Sequence, residues 1–165
     1  MNAIVVVDKN WAIGREGKLL FSLSADMKRF RSLTMGGTVL MGRKTLESLP
    51  GGRPLSGRRN IALSSHILEV DGIETARTPN AMRQAAASDD PSRVFVIGGG
   101  SIYAALLPYC KRAFLTKVDT AAENPDTFFP NLDKLPNWKV ERYDGDPITE
   151  GGLTFRFVDY INNNI

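Results

Sequence analysis

Cysteine and histidine are almost missing from this chain of 165 residues: Cys110 and His66 stand alone. A single cysteine excludes an internal disulfide and fits a reducing compartment. One histidine and one cysteine do not make a zinc ligand set, so no metal is expected. No apolar run approaches the ~20 residues of a membrane span. Residues 1–7 lack the basic start and small-residue cleavage site of a secretory leader. These absences predict a cytoplasmic protein with no membrane partner. Charge of one sign is scarce too. Lys+Arg number 21 against 18 Asp+Glu, a formal net charge of +3, too weak and too dispersed to argue for nucleic acid. Repeats, linkers and low-complexity segments are absent apart from the polar tail 162–164.

What is present is ordinary globular composition, 42% hydrophobic and 24% charged. The length suits one domain over residues 1–165, able to bury roughly 70% of the unfolded chain's surface and to stand as a monomer.

Strand and helix patterns alternate along most of the chain. Residues 3–7 form an apolar strand buried on both faces. A long glycine-punctuated loop, 8–23, precedes a helix over 24–35 with Ser24 as N-cap. A strand at 38–41 leads to a helix near 44–49, a Pro/Gly loop at 50–57 and a strand at 60–64. Thr78-Pro79 caps a helix over 80–87. Strands follow at 93–97 and 113–118, and 138–143 and 153–160 read as an antiparallel pair. The predicted fold is α/β, a mostly parallel eight-stranded sheet with helices on both faces and a C-terminal antiparallel strand pair.

The densest signal is VFVIGGGSIYAALLP at 94–108. Four apolar residues run into Gly98, Gly99 and Gly100, and then into a helical pattern with Ser101 as N-cap and Pro108 as stop. Glycines at a strand-to-helix junction let a ligand approach bare backbone. This is not the dinucleotide fingerprint, because Tyr103 stands where its last glycine belongs. Nor is GTVLMGRKT at 37–45 a phosphate loop: it is off by one, with Arg43 where lysine should be.

Two charged features need partners. Asp26 lies in a first helical turn, and Phe30 and Leu33 at i+4 and i+7 put it on the edge of the apolar face, with Met27 alongside. Desolvation disfavours its ionised form, which suits proton transfer or the holding of a cationic ring. Arg43-Lys44 open a helix, where positive charge is locally the wrong sign. Ser64-Ser65-His66 and Arg77 sit at other strand ends. Together with the glycine turn they suggest a ligand with several phosphates lying across the carboxyl edge of the sheet.

Taken in order, these segments resemble the dihydrofolate reductase family over nearly the whole chain. The matching pieces are Ile13-Gly14, the 23–26 entry with its acid, Met41-Gly42-Arg43-Lys44-Thr45, Arg53-Pro54-Leu55-Ser56-Gly57-Arg58 with Asn60, and Leu63-Ser64-Ser65. Ile97 to Gly100 with Tyr103, Leu115-Thr116, Asp126-Thr127 and Phe129-Pro130 complete the series. The resemblance implies NADPH-dependent reduction of dihydrofolate, and binding of antifolate-like small molecules. Asp26 would hold the pterin and promote protonation of the ring nitrogen beside the carbon receiving hydride, with Thr116 supporting the carboxylate. Ile4, Val5, Met27, Phe30, Leu49, Leu55, Ile97 and Tyr103 would line the pterin side. Arg58, with Arg53 nearby, would grip the glutamate tail. The implied cofactor contacts are Val6, Ile13, Gly14, Leu19, Gly42, Arg43, Lys44, Thr45, Leu63, Ser64, Ser65, His66 and Arg77. To these it adds Gly98, Gly99, Gly100, Ser101, Ile102, Tyr103 and Thr127. Arg43 and Arg77 would favour the phosphorylated dinucleotide. A cis peptide between Gly98 and Gly99 is also implied.

Five positions depart from the family pattern. Leu20-Phe21 stand where Pro-Trp is common, so Phe21 brings no indole donor to the catalytic neighbourhood. Ser24 replaces a common proline. Ser101 replaces an arginine of many bacterial members, and Pro125 a frequent glycine. Two other readings share features with this one: a riboflavin-pathway-type reductase on the same scaffold, and a non-catalytic nucleotide-binding module. Asp26 and Arg58 together favour a pterin head and a glutamate tail over both.

Overall fold

The computed structural model describes residues 1–165. Its centre is strand β1 (Asn2–Val7), flanked on both sides by parallel neighbours. On one side lies β7 (Val94–Gly98), followed outward by β4 (Thr38–Gly42), β5 (Arg59–Leu63) and β6 (Ile73–Ala76), all parallel. On the other lies β8 (Arg112–Val118), then the antiparallel strands β12 (Leu153–Asn162) and β10 (Trp138–Tyr143). Eight strands thus run in one row, the predicted number, although residue patterning locates only seven of them and misses β6. A short ninth, β11 (Ile148–Glu150), pairs with β12 as a hairpin.

Successive side chains of a strand point to opposite faces, so the apolar runs feed two cores. Val5, Leu40, Ile61 and Val96 pack with Met82 and Ala86 of α3 (Pro79–Ala86) and with Ile102 and Leu106 of α4 (Gly100–Leu106). Ile4, Val39, Met41, Ala62 and Phe95 pack on the other face. They meet Phe30 and Leu33 of α1 (Ser24–Thr34) and Leu46 of α2 (Arg43–Ser48) there. Helices therefore cover both faces.

The sequence misplaces two helix caps. The N-cap of α1 is Leu23, not Ser24, and Leu23 has no capping side chain. Ser24 is the first helical residue, and its amide and hydroxyl both donate to Glu150, at 2.7 Å each. At α4 the N-cap is Gly99 and the helix begins at Gly100, so Ser101 sits exposed inside the first turn. Thr78 does cap α3 as expected, its hydroxyl accepting from the Ala81 amide at 3.0 Å.

The segment 8–23 is not one loop. It contains β2 (Ala12–Arg15) and β3 (Lys18–Leu19), which join β9 (Thr127–Phe128) in a separate three-stranded sheet. Asp8, 1% exposed, fixes its base. Its carboxylate accepts from the amides of Asn10, Ala12 and Ala122 at 2.8, 2.9 and 2.8 Å. These strands, of two to four residues, are too short for periodicity to betray them. Strand β6 escapes for another reason: it is an edge strand whose only buried residue is Ala76. No helix is long and apolar enough to cross a membrane.

Candidate active site

Strand register builds one half of the site. Met41 pairs with Gly98, Gly42 with Leu63, and Leu63 with Ala76, so β7, β4, β5 and β6 end in one row. The residues just past that row are Gly99-Gly100, Arg43-Lys44-Thr45, Ser64-Ser65-His66 and Arg77. Segments far apart in sequence thereby share the carboxyl edge of the sheet. Arg43, Lys44, Ser65, His66 and Arg77 are all exposed there. The Ser64 amide donates to the Ala76 carbonyl at 2.9 Å, and the His66 amide donates to the Ser64 hydroxyl at 3.2 Å, which places this corner beside Arg77. Arg43 makes only an exposed i,i+4 contact with Glu47, at 3.4 Å, and keeps its charge available to solvent.

The glycine turn is crowded by side chains, not by backbone. The Gly98–Gly99 peptide is cis, as the resemblance implies. Gly98 has φ +127°, which L side chains rarely adopt. A Cβ at Gly98 would lie 3.5 Å from both Thr45 Oγ1 and the Tyr103 ring. A Cβ at Gly100 would lie 2.7 Å from Thr127 Cγ2, and one at Gly42 3.2 Å from Ile102. Thr45, Ile102, Tyr103 and Thr127 therefore converge on the turn. Gly14 joins them through β9, where it pairs with Thr127.

Asp26 occupies the third position of α1 and is half-buried. Its Oδ1 accepts a hydrogen bond from the buried Thr116 hydroxyl on β8 at 2.5 Å. Burial pushes its carboxyl above the usual carboxylate range, opposed by the Thr116 bond and by the Arg29 charge. Tyr103 is buried nearby in the core. Its hydroxyl donates to the Ile4 carbonyl at 2.6 Å, and burial, helped by the Asp26 charge, raises its pKa.

Apolar residues around Asp26 divide by face. Ile4, Phe30, Leu49, Leu55 and Ile97 belong to the α1/α2 side. Val5 and Ile13 point into the opposite core, so Val5 can offer that side only backbone. Met27 is 62% exposed and Leu19 79% exposed, both outside the packed clusters. Phe21 and Val6 pack with Leu23, Val118 and Phe155 near the β11–β12 hairpin.

Arg58 stands at the far end of α1. Its Nε donates to the Ser56 carbonyl at 2.9 Å and its Nη1 to the Thr34 hydroxyl at 3.1 Å. Those partners are neutral, so the guanidinium charge is held in place without being paired. Burial, and then the charge of the neighbouring Arg31, lower its pKa from the usual value. Arg53, Leu55 and Arg58 line a cleft of about 690 Å³ between residues 53–60 and 69–72. A second cleft of about 640 Å³ is lined by Leu19, Leu20 and Phe21 against residues 120–123.

The model of the family described as "Dihydrofolate reductase" matches residues 1–162. The chain belongs to the dihydrofolate reductase family. It is 37% identical over 143 residues to the dihydrofolate reductase type 3 of Salmonella typhimurium, covering 86% of this chain and 85% of that one. Identity to the dihydrofolate reductase of Mycobacterium tuberculosis is 38% over 152 residues, covering 90% and 89%. Among solved structures, the Enterococcus faecalis dihydrofolate reductase complexed with NADP(H) and RAB-propyl superposes with a TM-score of 0.85 at 29% identity. That match covers 98% of this chain and 95% of the other. As a dihydrofolate reductase-family enzyme, the chain shares the fold of the Enterococcus faecalis protein over 98% of its length.

Sequence reasoning missed the charge network under α1. Arg29 Nη2 bonds Asp159 at 2.6 Å and Asp144 at 3.3 Å, with side chains of Arg29 and Asp159 only 10% and 3% exposed. The guanidinium also lies over Phe157, 4.6 Å from its ring centroid. Phe157 is the cross-strand partner of Thr116, which bonds Asp26. Arginine on an amphipathic helix reads as a solvated residue, and only the fold reveals that β12 brings an aspartate beneath it.

Proposed function

We propose that this enzyme reduces 7,8-dihydrofolate to 5,6,7,8-tetrahydrofolate with NADPH. The observation carrying this reading is the union of two features on one sheet edge. One is a half-buried acid, Asp26, held by Thr116. The other is a cradle of glycine backbone and exposed cations from four strand ends.

The cradle fits the cofactor. Gly98 to Gly100 leave a backbone surface that side chains would fill, and Thr45, Tyr103 and Thr127 border it. Arg43, Lys44, His66 and Arg77, with the Ser64 and Ser65 hydroxyls, would hold the phosphates. Arg43 and Arg77 favour the 2′-phosphorylated form, because a dianionic phosphate gains most where two cations meet. When bound, NADPH supplies the hydride.

The protein's own residues then supply position and a proton environment. Asp26 hydrogen-bonds the pterin ring and orients it. Its raised pKa keeps a larger neutral fraction near physiological pH than an exposed aspartate has. That promotes protonation of the ring nitrogen beside the carbon that receives hydride, so hydride and proton together complete the reduction of one C=N bond. Thr116 fixes one carboxyl oxygen and leaves the other for substrate. Ile4, Phe30, Leu49, Leu55 and Ile97 exclude water around the ring, and Arg58 grips the tail carboxylate with its planar fork. Phe21 adds apolar cover and no donor, so proton access here does not use an indole N–H.

The test is cofactor oxidation followed by absorbance. Purified protein with NADPH alone should show no loss, and addition of dihydrofolate should start it, with tetrahydrofolate formed in equal amount. An unchanged NADPH signal with dihydrofolate present would overturn the reading. Consumption with a pyrimidinone of the riboflavin pathway but not with dihydrofolate would favour the sister reductase instead.

A further inference from the structure

The first turn of α1 is capped from outside the helix. The N-cap Leu23 offers no side-chain acceptor. Instead Glu150, in the β11–β12 hairpin and 126 residues away, places its carboxylate over the helix end. Its Oε2 accepts from the Ser24 amide at 2.7 Å, and its Oε1 accepts from the Ser24 hydroxyl at 2.7 Å and the Ala25 amide at 3.2 Å. Bonds from the Ser24 amide and hydroxyl hold the Glu150 carboxyl below its usual range, so it stays charged at neutral pH. A charged acceptor at a helix N-terminus satisfies orphan amides and matches the helix dipole.

The next residue is Asp26. Asp26 is the third helical residue, where an acid can reach back to the N-cap amide, here that of Leu23. The Asp26 carboxylate points to Thr116 instead. The same hairpin packs Ile148 and Leu153 against Leu23, Phe21 and Ala25, so apolar contact and the carboxylate clasp act on the same turn.

Resting on the dihydrofolate-reducing reading above, we infer that Glu150 is a positioning residue: by clasping Ser24 and Ala25 it holds the first turn of α1, and with it the Asp26 carboxylate, in place for the pterin. Glu150 touches neither substrate nor cofactor in this role and acts through Asp26.

Two substitutions reach the clasp from opposite sides. Glu150→Gln removes the charge and one of the two acceptor oxygens. Ser24→Pro removes two of the three donors without opposing the helix. Proline is well suited to the first helical position, and Leu23 at φ −121°, ψ 122° already has the conformation a following proline demands. Four readouts decide: hydrogen exchange of the Ala25 amide in the free protein, NADPH affinity, KM for NADPH, and kcat with dihydrofolate saturating. Glu150→Gln should speed Ala25 exchange several-fold. Both variants should lower kcat about three- to ten-fold while KM and affinity for NADPH stay put. The double variant should be no worse than the worse single, because both break one device. Unchanged kcat in both singles, losses that multiply in the double, or a parallel loss of NADPH affinity would each overturn the inference. If the parent protein does not consume NADPH with dihydrofolate, the reaction assigned above falls. Ala25 exchange then decides the clasp by itself, and unaltered exchange in Glu150→Gln would remove it.

Discussion

The Thr116 hydroxyl donates to Asp26 Oδ1 across 2.5 Å, joining the middle of β8 to the first turn of α1. Two opposing effects meet in that bond. Burial raises the Asp26 pKa, and the Thr116 bond and Arg29 restrain the rise. The net shift is upward, so the folded state holds the Asp26 proton to higher pH than the unfolded chain does. Ionising Asp26 therefore costs stability, and the cost grows as pH rises from the unfolded value to the folded one and is constant above it. An Asp26→Asn variant should unfold at or above the parent's temperature at neutral pH, and the difference should vanish in acid. Its turnover with dihydrofolate should fall by about 10²–10⁴ and recover in part at low pH, where substrate arrives protonated. Thermal unfolding and turnover across pH check both halves. A variant turning over within a factor of two of the parent at neutral pH would remove Asp26 from the chemistry.

Arg58 offers a separable test of tail recognition. Its guanidinium is already oriented by Ser56 and Thr34. Arg58→Lys keeps the charge but loses the planar fork. Affinity for folate should drop about ten-fold or more, as expected for losing a charge-assisted bidentate pair. Affinity for a pterin lacking the glutamate should hold. Equal losses for the two ligands, measured by fluorescence titration, would place Arg58 elsewhere.

Why the sequence shows some of this and hides the rest follows from which signals are local. Residues 94–98 show a buried strand because four apolar residues run unbroken into glycine. Thr78-Pro79 shows a helix start because cap and proline are neighbours. Ser24 reads as a cap by the same local logic, but the acceptor that decides its role lies 126 residues on, at Glu150. Val5 and Ile4 looked alike as strand residues, and only the sheet's two faces separate them. Asp26 could be placed on the edge of an apolar face from spacing alone. Its partner Thr116 came only from the resemblance, since no local pattern links two residues 90 positions apart.

The Arg29–Asp159 pair predicts a stability effect with a clear sign. Both side chains are nearly buried, the bond is 2.6 Å, and Arg142 adds a second contact to Asp159 at 2.9 Å. Removing Asp159 leaves the buried Arg29 only its longer contact to the half-exposed Asp144, a loss of up to about 3–5 kcal/mol. Asp159→Ala should therefore lower the denaturation midpoint sharply. Arg29→Met combined with Asp159→Leu should recover much of the loss, because the surroundings, Phe114 and Phe157, are already apolar. Chemical denaturation of the singles and the double checks this, and a double variant as unstable as the sum of the singles would contradict it.

The glycine turn makes the sharpest steric prediction. A Cβ on Gly100 would sit 2.7 Å from Thr127 Cγ2, closer than such atoms come in folded proteins. Threonine is branched at Cβ and cannot swing that methyl away cheaply. Gly100→Ala should therefore push β9 from the turn, lowering both stability and NADPH affinity. Thr127→Ser deletes only the offending methyl. It keeps the hydroxyl, which donates to Asp126 at 2.8 Å. Gly100→Ala with Thr127→Ser should regain most of the stability and part of the cofactor affinity, while Thr127→Ser alone changes little. Gly98→Ala cannot be rescued this way. Its Cβ would meet Thr45 and Tyr103 at ordinary contact distance, so the obstacle there is the backbone angle of +127°. Unfolding midpoints and NADPH titrations of the three single variants and the two doubles separate the two causes. Rescue of Gly98→Ala by Thr127→Ser, or failure to rescue Gly100→Ala, would contradict this account of the turn.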